Sequence, residues 1–416
     1  MKDAEFDGSD ELNLPVWARE EAFPPAAEGF GWVDRKGHRH VSGSLDELAT
    51  TIREDKDSVV NLVWTPDSLH CRVPEEIAAF EEPIAVVRKR WAKDDLADSV
   101  HRLKWFGFGV LGLIAYMAFQ AWRILDVRGT ASGIEPSLYA GLRYIFHAIK
   151  HSSSVGLALL GFLIFAFIPW YQAQKRMREM NREGAKSAPS IPLIRFETWL
   201  EIQKAPVTWA IMVTISIVFI AQFFFKTSVE EAGLVKVAYR AGEYWRLLTA
   251  PMLHGGLIHF IMNVLGLLYL GKRMEVFARW PHVPMVFLFS ALLGGEASAR
   301  FTDATSVGAS GGLMGWLGFL LVFETLHSKL VPRSAKRRLI GGVIITGLIG
   351  LVGYKFIDNA AHFGGMFAGM AYALIVFPKS TSVIRPSMTL TDRILGTASL
   401  AVIALSGLLA ILKITG

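Results

Sequence analysis

The strongest constraint on this chain is a series of apolar runs, each long enough to cross a bilayer. A hydrocarbon core about 30 Å thick takes ~20 mostly apolar residues of helix. Only helices and closed barrels satisfy their backbone groups in that medium. Such runs fall at roughly 105–123, 154–173, 205–225, 257–274, 282–298, 308–326, 338–354, 359–377 and 394–413. They predict an all-α polytopic membrane protein. With 52% hydrophobic and only 19% charged residues, the composition argues against a chain of soluble domains. The run 257–274 is the most polar, as expected of a helix buried in a bundle or lining a cavity.

Lysines and arginines set the orientation. Clusters precede the first run (Arg88, Lys89, Arg90, Lys93) and follow the second (Lys175, Arg176, Arg178, Arg182), the fourth (Lys272, Arg273, Arg279), the sixth (Lys329, Arg333, Lys336, Arg337, Arg338) and the eighth (Lys379, Arg385, Arg393). The intervening loops are poorer in them. The alternation predicts a cytosolic N-terminus and an outer C-terminus. It also accounts for the net charge of +6, so no nucleic-acid partner is inferred. The start, MKDAEFDGSDELN, lacks the basic and apolar regions of a signal peptide. A bacterial inner (cell) membrane is the expected location. One cysteine, Cys71, permits no internal disulfide.

Residues 1–100 read as a small soluble cytosolic domain. SLDELATTIRED has helical spacing with Ser44 as cap, SVVNLVW reads as a strand, and an α/β arrangement is expected. Residues 105–175 form a two-span hairpin, 176–204 a basic linker, and 205–416 carry seven further spans.

Several polar residues stand where a bilayer offers them nothing. Ser310 lies in Gly308-Ala309-Ser310-Gly311, His362 in DNAAHFGGMFAGM, and His254, His259 and Asn263 in HGGLIHFIMNV. By the predicted orientation all five sit near the outer ends of their spans. Buried polar groups are costly without partners, so mutual contact is expected. His362, Gly365 and Gly369 share one helical face, and Gly365 with Gly369 forms a GxxxG pair that lets helices approach closely. Gly311, Gly312, Gly315 and Gly318 supply a matching smooth face. If those faces meet, the histidine reaches the serine. A serine hydroxyl becomes a nucleophile when a base takes its proton, and neutral histidine does so near pH 7. His259, Asn263 and the Ser310 N–H are candidate donors to a developing oxyanion. Asp358, four residues before His362, is expected nearer the outer surface, which favours a Ser–His dyad. His254 and His259 are five apart, unlike a helical metal pair. Neither HExxH nor GxGD occurs, and no metal or cofactor is expected.

In order and combination, Trp245-Arg246, His254…His259…Asn263, YLGKRME, GASG at 308–311, and His362 with Gly365 and Gly369 resemble the rhomboid intramembrane serine proteases over residues ~205–416. The resemblance implies a rhomboid-like bundle of six core spans plus one C-terminal span. It implies Ser310 as nucleophile, His362 as base, and His259, Asn263 and Ser310 as the oxyanion hole. His254 is similar to a family histidine with a structural role, and Arg246 to a loop-ordering arginine. Met314 stands where some members carry an aromatic residue against the base. The partners implied are transmembrane protein substrates within the lipid bilayer, cleaved by serine endopeptidase chemistry. The rival readings are an inactive rhomboid-like scaffold or adaptor, and a transporter using the same polar cluster.

Overall fold

The structure is a computed structural model that describes residues 14–132, 137–183 and 190–416. The acidic start and the linker residues Gly184, Ser187 and Pro189 lie outside the described residues. Two compact units emerge.

One unit comprises residues 25–190 and 345–357. Its antiparallel sheet has the order β2-β1-β3, with β1 Phe30–Asp34, β2 Arg39–Ser42 and β3 Val60–Trp64. Helix α1, Leu45–Glu54, starts where the Ser44 side chain accepts the Glu47 N–H, an N-cap that satisfies an orphan donor. Leu48 and Ile52 of α1 pack with Val63 of β3 and with Phe80, Ile84 and Val87. The last two belong to α2, Glu81–Ser132, a single helix of 52 residues. Thus α2 contributes to the small core and continues through the first apolar run, with its only proline, Pro83, tolerated in the first turn. Helices α3 (Leu138–Lys150), α4 (Ser153–Phe162) and α5 (Ile168–Glu183) follow.

The other unit comprises the described residues before 25, with 191–344 and 358–416. Its helices are α6 (Ile191–Ile202), α7 (Pro206–Phe224), three short loop turns α8 (Ser228–Ala232), α9 (Lys236–Arg240) and α10 (Arg246–Thr249), then α11 (Leu257–Ala278), α12 (His282–Phe301), α13 (Ser310–Leu326), α15 (Asn359–Val376) and α16 (Leu390–Thr415). Helix α14 spans Arg333–Val352.

Among the described residues, seven helices are long and apolar enough to cross a membrane: Ala78–Val127, Ser153–Arg182, Pro206–Phe224, Leu257–Ala278, His282–Phe301, Asn359–Val376 and Leu390–Thr415. The other two expected runs are also helical. Ser310–Leu326 has only 17 residues, about 25 Å of rise, so it falls short of a full bilayer core. Arg333–Val352 opens with Arg333, Lys336, Arg337 and Arg338, which leaves it too basic to qualify.

Three helices, α12, α13 and α15, form the centre. Several of their contacts bring a glycine against backbone. A Cβ on Gly365 would fall on the Gly311 carbonyl, and one on Gly369 on the Gly315 carbonyl. One on Gly294 would lie 2.6 Å from the Ala361 oxygen, and one on Gly312 2.6 Å from the Phe287 ring. In hydrocarbon, where apolar burial gives little drive, such close contact supplies the association energy. At the opposite end, Glu275 of α11 accepts the N–H groups of Val207 and Thr208 at 3.1 and 3.0 Å. It thereby satisfies orphan donors at the start of α7.

Candidate active site

Ser310 is the first residue of α13, and His362 lies in the first turn of α15. His362 Nε2 is 2.8 Å from Ser310 Oγ. The approach follows from the packing, since one turn further along, Gly365 rides on Gly311.

The segment leading to Ser310 is held from the loop between α7 and α11. Leu234 and Ser306 exchange backbone hydrogen bonds of 2.9 and 3.2 Å, and the Gly308 N–H donates to the Ala250 carbonyl at 3.0 Å. Gly308 has φ +123°, and a Cβ there would lie 2.7 Å from Cε1 of His259. Only glycine meets both demands. The His259 ring therefore lies beside the chain two residues before the serine. Helix α13 begins without a side-chain cap, its N-cap being Ala309. The first N–H groups, Ser310's included, have no intrahelical carbonyl to bond.

Asn263 is buried one turn below His259. Its Nδ2 donates to the His259 carbonyl at 2.8 Å, and its second amide hydrogen has no acceptor among the described residues. Its Oδ1 has no partner among the described residues. His254 is 3% exposed and stands edge-on to His259, ring centroids 5.2 Å apart, and to Phe260 at 5.4 Å. Its backbone N–H donates to Gln222 Oε1 at 2.9 Å. Met314 lies half-buried one turn beyond Ser310.

Arg246 organises the loop between α7 and α11. Its Nη1 donates to the carbonyls of Glu230 and Gly233 at 3.0 and 2.7 Å, and its Nε to Glu243 at 2.7 Å. Trp245 takes the Arg246 guanidinium on its ring at 4.7 Å, and Lys413 of α16 at the same distance.

Asp358 is held by both of its carboxylate oxygens. Its Oδ1 accepts the Ala361 N–H at 2.9 Å as the N-cap of α15, and its Oδ2 accepts from Ser298. Ser298 also receives the ammonium of Lys236, which is buried. The chain had signalled Asp358 by its spacing from His362, but nothing in the sequence pointed to Lys236 or Ser298. Among the described residues no group of His, Cys, Asp or Glu is arranged to hold a metal ion.

The fold and this site define a class: a polytopic helical membrane protein whose serine and histidine meet at the ends of two close-packed helices. Residues 241–379 match the Rhomboid domain, so this part of the chain resembles the rhomboid family. Over 162 residues it is 33% identical to "RHOMBOID-like protein 6, mitochondrial" of Arabidopsis thaliana, covering 37% of this chain and 52% of that protein. It is 37% identical over 147 residues to "RHOMBOID-like protein 4" of the same plant, covering 35% and 37%. It is 35% identical over 144 residues to "Rhomboid protease GluP" of Bacillus subtilis, covering 33% and 27%. The chain thus spans about half, or less, of these relatives' length. The relatives include plant proteins, one of them mitochondrial, so they do not support the expected bacterial inner membrane. What stands is an integral multi-pass membrane protein.

Proposed function

We propose that the chain is an intramembrane serine endopeptidase that cuts transmembrane segments of other membrane proteins, with Ser310 as nucleophile and His362 as general base. The observation that carries this reading is the 2.8 Å approach of His362 Nε2 to Ser310 Oγ. A Bacillus relative named as a rhomboid protease supports it.

With the His362 proton on Nδ1, Nε2 is free to accept. It takes the Ser310 proton as Oγ attacks the scissile carbonyl. Negative charge then grows on the carbonyl oxygen. The Ser310 N–H, His259 and the second Asn263 amide hydrogen are its donors. The imidazolium passes its proton to the leaving amine, and the acyl group stays on Ser310 Oγ. Water, deprotonated by His362, releases it and restores the serine. The Asp358 carboxylate is engaged by Ala361 and Ser298, which favours a dyad over a triad.

A cleft beside Ser310 is lined mostly by small residues, among them Ala250, Ala291 and Ala361, with Leu234, Leu247 and Val307 as the larger ones. It suits a small residue at the cleaved bond. A helical substrate must unwind there, because its own ladder shields the peptide bond. The Lys/Arg bias puts the N-terminus in the cytosol and the site near the outer face. Residues 1–100 are then a cytosolic domain, 105–175 a two-span hairpin and 205–416 the protease domain.

The test is labelling of purified protein by a fluorophosphonate, with cleavage of a panel of transmembrane reporters. Wild type is expected to label and cut. Ser310→Ala and His362→Ala should do neither, with the double variant no worse than either. Robust cutting by His362→Ala overturns the dyad, and an unreactive wild type favours a scaffold.

A further inference from the structure

Lys236, Ser298 and Asp358 come from three segments far apart in sequence: α9 of the loop between α7 and α11, helix α12, and the N-cap of α15. Lys236 is 1% exposed. Its Nζ donates to Ser298 Oγ, and Ser298 donates to Asp358 Oδ2. Asp358 Oδ1 accepts the Ala361 N–H at 2.9 Å, and the Asp358 carbonyl accepts the His362 N–H at 3.1 Å. The cation is therefore one hydroxyl from the anion, and the anion caps the turn that carries His362.

A buried ammonium without a counter-charge is strongly disfavoured. The nearby charges leave Asp358 to serve. Arg240, one turn along α9, is like-charged and donates to Asp303 at 3.0 Å. Glu296 is engaged by Tyr239 and by Arg300. Burial lowers the Lys236 pKa to about 8, against the lift from Asp358 and with Arg240 adding to the fall. The ammonium thus depends on its anion to stay charged.

We propose that Lys236, acting through Ser298 and Asp358, is a positioning residue for His362: the buried pair fixes the first turn of α15 against α12 and the loop between α7 and α11, so that loop order and base geometry are set together. The proposal rests on the protease reading for the role of His362. Asp358 and Lys236 touch no reacting atom.

The test uses full-length protein in detergent with Lys236→Met, Asp358→Asn and the double variant. Asparagine keeps the helix cap and removes only the charge. The readouts are kcat and KM on a transmembrane reporter, the rate of fluorophosphonate labelling at Ser310, and the melting temperature. Assays run well below the lowest melting point. Each single change should lower kcat and the labelling rate roughly 10- to 100-fold, as for a slightly misplaced catalytic group, with KM unchanged. The double variant should be no worse than the worse single, since it leaves no unpaired charge. Wild-type kcat and labelling in Asp358→Asn overturns the proposal, as do single losses that multiply in the double. If Lys236→Met does not fold, Asp358→Asn alone decides by the same kcat and labelling criterion. An inactive wild type sinks the protease reading instead. The coupling is then judged from melting temperatures alone, where additive losses overturn it and compensation in the double supports it.

Discussion

His362 stands within hydrogen-bond reach of Ser310, at 2.8 Å, because the two helices bearing them touch through glycine. Gly365 and Gly369 lie on the His362 face of α15, and each meets a carbonyl of α13, at Gly311 and Gly315. The Ser310–His362 approach and the helix contact are one feature, since the spacing of residues along α15 converts backbone approach into side-chain reach.

The first prediction tests that contact. A methyl group at Gly369 collides with backbone, which has no rotamer to escape into. Gly369→Ala should therefore destabilise by about 1–3 kcal/mol, the range for overpacking, and reduce cleavage. A Cβ at Gly341 of α14 would meet nothing within 4 Å, so Gly341→Ala should be neutral or raise stability by up to ~1 kcal/mol. Thermal melts of the two variants decide, and equal melting temperatures would show that the α13–α15 contact is looser than the glycine spacing implies.

The second concerns the loop between α7 and α11. Arg246 serves three acceptors with one planar fork, which a lysine's single ammonium does not reproduce. Arg246→Ala takes the guanidinium from the Glu230 carbonyl and leaves the Gly233 carbonyl with only the Val235 N–H, at about 1 kcal/mol for each lost bond. Arg246→Lys should recover only part of this. Limited proteolysis within 225–256 is the readout, with the order wild type, lysine, alanine from most to least resistant. A lysine variant as resistant as wild type would remove the case for the fork.

Much of this was legible in the chain because membranes make polarity conspicuous. Ser310, His259, Asn263 and His362 stood out against apolar sequence, and helical spacing put Gly365 and Gly369 beside the histidine. What stayed hidden depended on contacts between distant segments. Lys236 reads as one more loop lysine until the fold buries it against Ser298, 62 residues on. Asp358 had its position noted, but its direction is set by α12, which spacing along α15 does not report. The length of α2 was equally obscure, because the chain changes from polar to apolar near residue 104 without a helix-breaking residue. A change of solvent left no mark on the backbone.

The third prediction follows Lys236 with pH. Burial, partly offset by Asp358 and aided by Arg240, lowers its pKa from 10.5 to about 8. Between those values the unfolded chain holds a proton that the native state has released, so this group makes stability rise with pH across the window. Below about pH 8 both states are protonated and its contribution is flat. The melting temperature of wild type minus that of Lys236→Met should therefore increase from about pH 8 toward about 10. A difference that falls over that range would mean the ammonium is held more tightly in the fold than in water.

The last concerns the oxyanion donors. Asn263 is buried, and its amide nitrogen already donates once to the His259 carbonyl. That bond fixes the side chain and leaves one hydrogen to aim elsewhere. If it points at the developing charge, its loss slows the chemical step and spares binding. In soluble serine proteases one such donor is worth on the order of 10²–10³ in rate. Here the Ser310 N–H and His259 remain, and a site open to water weakens each bond. Asn263→Ala should thus lower kcat by roughly 10-fold or more, with KM little changed and labelling of Ser310 partly retained. His259→Ala should behave alike, and the double variant should lose less than the product of the two. A rise in KM alone for Asn263→Ala would make it a substrate-docking residue and take it out of the oxyanion hole.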